Sequence, residues 1–159
     1  MPAFAPIAIF NNDNNAMVGA VRSISQNSDV PVGIVSSPAC LSNPPVFNYS
    51  VGNYSFDVEL SDNAAGYTIT YQTCCRVANI TNIGNAGSIG STYIGSIPGT
   101  NTLLNGFDNS AAFETGISVI CKDNRFILDF SATDADNDSL VYSLVNAFNG
   151  GAASNAGFA

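Results

Sequence analysis

Tyr67-Thr68-Ile69-Thr70-Tyr71-Gln72-Thr73-Cys74-Cys75-Arg76-Val77 alternates like a half-buried β-strand, with Tyr67, Ile69, Tyr71 and Cys75 on one face. The stretch before it, Tyr54-Ser55-Phe56-Asp57-Val58-Glu59-Leu60, alternates in the same way, with Tyr54, Phe56, Val58 and Leu60 on one face. Residues 61–66 between them are turn chemistry. The same grammar extends outward in both directions. Residues 6–10 are a short apolar run, the asparagine-rich residues 11–15 favour a turn and left-handed backbone, and residues 17–24 run back, which predicts a hairpin. Residues 30–35, 92–97, 117–121, 125–132 and 139–145 read as further strands, with Phe126, Leu128 and Phe130 sharing a face. No segment carries a convincing helical period. Short strands at this spacing predict an all-β chain of immunoglobulin-like or cadherin-like β-sandwich architecture.

Composition agrees. The 159 residues are 46% hydrophobic, enough for a core, but only 10% are charged, well under the roughly 25% of an ordinary domain. Twelve acidic residues against four basic ones set a net charge of −8. A chain this acidic is a poor partner for nucleic acid, which needs a basic face, and metal cations are its natural counter-charge. There is no histidine, which removes the commonest general base, the usual catalytic triad and most zinc sites. A nucleophile's activating base would have to be Lys122 or a carboxylate, so the chain reads as non-catalytic. No stretch approaches the ~20 apolar residues of a transmembrane helix. Residues 1–4 have neither the basic region nor the apolar core of a signal peptide, and the chain reads as an internal fragment.

Four cysteines, Cys40, Cys74, Cys75 and Cys121, in an acidic chain rich in Asn, Ser and Thr predict two disulfides and an oxidising compartment. In a strand Cys74 and Cys75 point to opposite faces, so each is expected to take a distant partner, Cys40 or Cys121, with Cys75 toward the core. Which partner each takes is left open. Arg76, one of four basic residues, is read as a structural partner for a carboxylate or backbone carbonyls.

Ser131-Ala132-Thr133-Asp134-Ala135-Asp136-Asn137-Asp138-Ser139-Leu140-Val141-Tyr142 carries the most chemistry. Asp134, Asp136 and Asp138 can converge if the backbone turns sharply, and calcium takes six to eight oxygens. Asp123 and Asp129 are accessory candidates. It is not an EF-hand, because Ser139 and Val145 stand where that loop needs Gly and Glu. Three close carboxylates repel one another unless a cation neutralises them, so the loop is expected to bind calcium. The alternative is a plain acidic turn. The six tyrosines read as strand packing residues; gathered on one sheet face they would make a sugar-binding platform.

Two of these stretches resemble a known family. Residues 71–83, with Cys74-Cys75-Arg76, resemble a motif of the large secreted proteins of Bacteroidetes labelled gliding-motility-associated or type IX secretion cargo proteins. Residues 131–142 resemble the aspartate loop of the same proteins, which is similar to cadherin-like calcium loops. The order of the other landmarks also matches over most of residues 5–150: an early Pro-Ile-Ala-Ile strand, a Pro-x-Cys and an Ile-Cys. Val77 stands where the family usually has Asn, and Asn137 where it has Gly; Asn tolerates the left-handed turn that Gly supplies. The resemblance implies tandem immunoglobulin-like or cadherin-like modules in long extracellular chains, export by a dedicated secretion machinery, and Asp134, Asp136 and Asp138 as calcium ligands.

The expectation is a β-sandwich at residues 1–116, breaking near Gly116, and an incomplete second cadherin-like module at 117–159. Its function is that of a calcium-stiffened, non-catalytic module of a secreted cell-surface adhesin or extracellular filament, partnered by other modules of the same chain or neighbouring subunits. The alternative is a carbohydrate-binding module that takes surface glycans.

Overall fold

The N-terminal hairpin forms where turn chemistry places it. In the computed structural model, which describes residues 2–36, 38–43, 46, 48–103, 108–114, 117–121 and 123–150, β1 (Phe4–Asn11) pairs antiparallel with β2 (Arg22–Val32). The asparagines build the reversal: Asn11 Oδ1 accepts from Asp13 N–H (2.7 Å), Asn14 Oδ1 accepts from Ala16 N–H (2.9 Å), and Asn15 takes a φ of 57°. The remaining elements are β3 (Ile34–Ser36), β4 (Tyr49–Tyr54), β5 (Tyr67–Thr73), a 3₁₀ turn (Ala86–Ser88), β6 (Ser91–Ile97), β7 (Ala112–Phe113), β8 (Ile117–Ser118) and β9 (Ala132–Thr133). The chain is all-β, as its alternation predicts.

Chain contacts divide the described residues into two units, each drawn from separated stretches of sequence. One contains residues 26–54 and 109–142. In it the later part of β2 pairs antiparallel with β4, β3 pairs parallel with β8, and β7 pairs antiparallel with β9. The Cys40–Cys121 disulfide lies a few residues beyond both β3 and β8, and so closes the parallel pair covalently. Gly116, the expected module boundary, lies outside the described residues.

The other unit contains residues 3–25, 55–108 and 143–150 of the described chain. Its strand order is β2–β1–β5–β6, antiparallel throughout. Ile9, Ala8, Ala5 and Tyr67 are its buried centre, joined by Ala86 of the 3₁₀ turn. Residues 55–60 make no ladder, yet Phe56, Val58 and Leu60 are half-buried while Ser55, Asp57 and Glu59 are exposed. Burial alternates because one face of the segment packs, whether or not its backbone edge is paired.

Three expectations are corrected here. β5 stops at Thr73, so Cys74 and Cys75 are outside the strand and strand alternation does not govern them. They are bonded to each other across a cis peptide, both are exposed, and Cys40 pairs with Cys121. Cys75 therefore does not point to the core. Residues 125–131 and 139–145 form no strand, and Phe126 (52%), Phe130 (66%) and Leu144 (103%) are solvent-exposed. Their alternation is real, but no facing surface among the described residues covers them, and alternation by itself does not bury a side chain.

Candidate functional site

The aspartate loop is clamped by its own Asp134 carboxylate and by Asn109, which precedes β7. β9 leads into it. Asp134 Oδ1 accepts from the backbone N–H groups of Asp136 (2.9 Å) and Asp138 (3.2 Å), which curls the backbone around that side chain. Asn137 sits at the turn with φ 63°, the left-handed conformation that lets Asn stand in for Gly. Asp136 reaches out instead: its Oδ2 accepts from Asn109 N–H (2.6 Å), and both its oxygens accept from Asn109 Nδ2 (2.9 and 3.0 Å). β7–β9 pairing continues the contact, with Glu114 N–H donating to Ser131 carbonyl (3.1 Å). Tyr142, at the loop's far end, packs edge-on against Phe113 (ring centroids 6.5 Å apart), and its hydroxyl accepts from Ala132 N–H (3.1 Å).

The chemistry of this arrangement is carboxylate neutralised by N–H donors. Each oxygen of Asp136 and Oδ1 of Asp134 is satisfied by at least one N–H donor from the protein itself. Asp134, Asp136 and Asp138 supply the hard oxygens that calcium takes. As folded, however, they do not converge: among the described residues no three acidic or cysteine side chains form a cation-binding group. Of the accessory acids, Asp129 caps its own turn through Ser131 N–H (2.8 Å), and Asp123 is exposed at a φ of 61°. Lys122 lies outside the described residues. Asn109 and the Tyr142 hydroxyl are the members of the site that sequence reasoning did not single out. Tyr142 had a signal, its place at the end of the quoted stretch; Asn109, 27 residues from Asp136, had none.

Replacing Asp136 by alanine strips Asn109 of its acceptor and removes the side-chain link between residues 109 and 136. The expected cost is about 1 kcal/mol, the net worth of a partly exposed charge-assisted contact, read as a fall in the urea midpoint. An Asp136→Ala protein as stable as wild type would show that the clamp contributes nothing.

Arg76 behaves as its rarity suggests. Its backbone N–H donates to Ile89 carbonyl (2.9 Å), and Nη2 donates to Phe148 carbonyl (3.1 Å) and Asn149 Oδ1 (3.4 Å). Those bonds hold residues 148–149 beside β6, where Thr92 N–H also donates to Phe148 carbonyl (3.2 Å). The result is a cleft of about 220 Å³ lined by Phe10, Thr70, Gln72, Thr92, Ile94, Phe148 and Asn149. Thr70 Oγ1 and Gln72 Oε1 are buried there without a hydrogen-bond partner in the protein.

Tyr71 and Tyr93 stack across β5 and β6 (centroids 5.9 Å, planes 24° apart), and Tyr67 is buried with its hydroxyl donating to Ser61 carbonyl (2.7 Å). Tyr49, Tyr54 and Tyr142 belong to the other unit. No protein-family model, curated protein or solved structure matches the chain.

Proposed function

We propose that this chain is a non-catalytic structural module of a secreted or cell-surface β protein, one that adheres or builds an extracellular filament. The observation that carries the reading is the pairing of Cys40 with Cys121, 81 residues apart, in an all-β chain. Disulfides of this kind form and persist in oxidising, extracytoplasmic surroundings. The Cys-Cys-Arg motif and the aspartate loop, which resemble those of gliding-motility-associated proteins, support adhesion or filament building within that class. The sandwich architecture of that family is part of the proposal. Partners are neighbouring modules or subunits of the same kind.

Calcium stiffening of the aspartate loop is the part of the reading that a titration decides. On this reading calcium raises the thermal midpoint of the wild-type chain, by mass action on the folded state, and fails to raise that of Asp134→Asn/Asp138→Asn. If calcium shifts neither protein, the loop is a self-capped acidic turn and the module is stiffened by hydrogen bonds alone.

The cleft at Thr70 and Gln72 favours a second reading, a carbohydrate-binding module. Thr70 and Gln72, each with a polar atom that has no partner in the protein, line this cleft with Phe10 and Phe148, which suits a neutral hydroxyl-bearing ligand better than a charged one. Binding to a panel of neutral glycans, lost in Gln72→Leu, would move the function to that class.

A further inference from the structure

We propose that the cleft lined by Thr70, Gln72, Phe10 and Phe148 holds a single neutral sugar ring, free or at the end of a glycan, with Thr70 and Gln72 bonding its hydroxyls. This rests on the carbohydrate-binding reading above and gives it a site, a size and two contact residues. Register puts the two polar side chains on one face of the sheet, because residues directly opposite in a ladder share a face. Thr70 lies opposite Ala8 on one side and Ile94 on the other, and Gln72 lies opposite Thr92. Phe10, two residues from Ala8, joins the same face. The remaining wall is the returning chain. Phe148 carbonyl accepts from Thr92 N–H (3.2 Å) and Arg76 Nη2 (3.1 Å), Asn149 carbonyl accepts from Thr92 Oγ1 (3.2 Å), and Asn149 Oδ1 accepts from Arg76 Nη2 (3.4 Å). That wall is in place before a ligand arrives, so binding does not have to order it.

The orphaned atoms define the chemistry of the ligand. Thr70 is 9% exposed, and its Oγ1 has no hydrogen-bond partner among the described residues; neither has Gln72 Oε1. Buried polar groups are nearly always paired, and a sheet face that served packing alone would carry apolar side chains at these positions. Gln72 Oε1 requires a donor, and the Thr70 hydroxyl either donates or accepts. Hydroxyl groups meet both requirements. A cation would find no carboxylate among the described lining residues, and an anion would face Gln72 Oε1 in a chain of net charge −8. Volume limits the size. At about 220 Å³ the cleft is smaller than the roughly 300–1,000 Å³ of sites for drug-sized molecules, so it takes one ring and not a run of them. Phe10, Ile94 and Phe148 supply apolar surface for the C–H groups of that ring, and Phe148 is half-exposed. Two polar contacts in so small a site give weak binding, which gains strength when several copies engage one glycan-bearing surface.

An NMR titration of the whole chain with neutral hexoses and their methyl glycosides tests it, with circular dichroism to check each fold. The amides of Thr70, Gln72, Thr92 and Ile94 are expected to shift and to saturate with a Kd on the order of 1 mM. Thr70→Val and Gln72→Leu are each expected to weaken binding about tenfold. Neither is expected to lower the thermal midpoint, because each removes a buried polar atom that has no partner among the described residues; a purely structural role for either side chain would show as lost stability with binding retained. Methyl glycosides that bind as well as the parent sugars identify the end of a glycan as the source, and a preference for the parent sugars identifies a free sugar. The absence of a saturable shift with any sugar overturns the proposal and leaves the two atoms to trapped water. Binding that cyclohexanol matches, or that both substitutions leave unchanged, overturns it as well. A dense glycan surface that captures wild type and both variants equally would overturn this cleft and leave the carbohydrate-binding reading standing; capture by no glycan overturns both.

Discussion

Replacing Cys40 and Cys121 together by serine is expected to lower the stability of the folded chain by about 4 kcal/mol, the largest effect of any pair of side chains here. The cross-link closes a loop of 81 residues, and on the chain-entropy account a loop of that length removes about 4–5 kcal/mol of freedom from the unfolded ensemble. Its position adds to the effect. β3 and β8 form a short parallel pair, Ile34 against Ile117 and Ser36 against Ser118. A parallel pair needs a long crossover, and a ladder this short contributes little toward closing it. Without the disulfide the β3–β8 pair is the part expected to open. The comparison that tests this is Cys74→Ser/Cys75→Ser, whose bond joins neighbours and therefore restrains almost no loop; it is expected to cost less than about 1 kcal/mol. Urea titrations of both double variants decide the matter. The 40/121 variant should also show a larger denaturant slope, because its unfolded chain expands further. Equal midpoints in the two variants would mean that the long cross-link does not set stability.

Gly66→Ala is expected to cost about 3 kcal/mol, the largest effect of a single substitution. Gly66 has a φ of 75°, where an L side chain is strained by about 1–2 kcal/mol. A Cβ there also runs into the carbonyl of Ile97 and the N–H of Gly99 (2.7 Å), both backbone atoms that cannot swing aside. The frame around it is tightly bonded. Asn63 is buried, its Oδ1 accepts from Ala65 N–H (2.7 Å) and Gly66 N–H (3.1 Å), and its carbonyl accepts from Thr100 N–H (2.9 Å). Asn12 donates to the same turn, from its N–H to Gly66 carbonyl (3.1 Å) and from Nδ2 to Ala65 carbonyl (2.9 Å). One methyl group therefore displaces contacts from three stretches of chain at once. Gly84→Ala is the control: its φ is not positive and an added Cβ meets nothing within 4 Å. It is expected to stay within about 0.5 kcal/mol of wild type, since it touches nothing and reduces unfolded-state freedom. Similar losses in both variants would rule out the close approach at Gly66 as the cause.

The sequence by itself determined what depends on neighbours in the chain. Alternation identified β5, β6 and the half-buried face of Phe56, Val58 and Leu60, because side-chain period is a local property of extended backbone. The asparagines of residues 11–15 announced the β1–β2 reversal, and Asn137 its left-handed turn, because those side chains bond to their own backbone. The acidic loop was recognisable as a site of concentrated charge. The tertiary structure alone decided who pairs with whom. It set β5 beside β1 instead of beside the segment that precedes it, joined Cys74 to Cys75 and Cys40 to Cys121, and brought Asn109 to Asp136. It also decided that Phe126, Leu128 and Phe130 stay exposed while Phe56, Val58 and Leu60 are half-buried, although both sets alternate alike. The reason is the same in each case: a strand edge, a thiol or a carboxylate is compatible with many partners, and the one it takes is whichever the closing of distant loops leaves within reach.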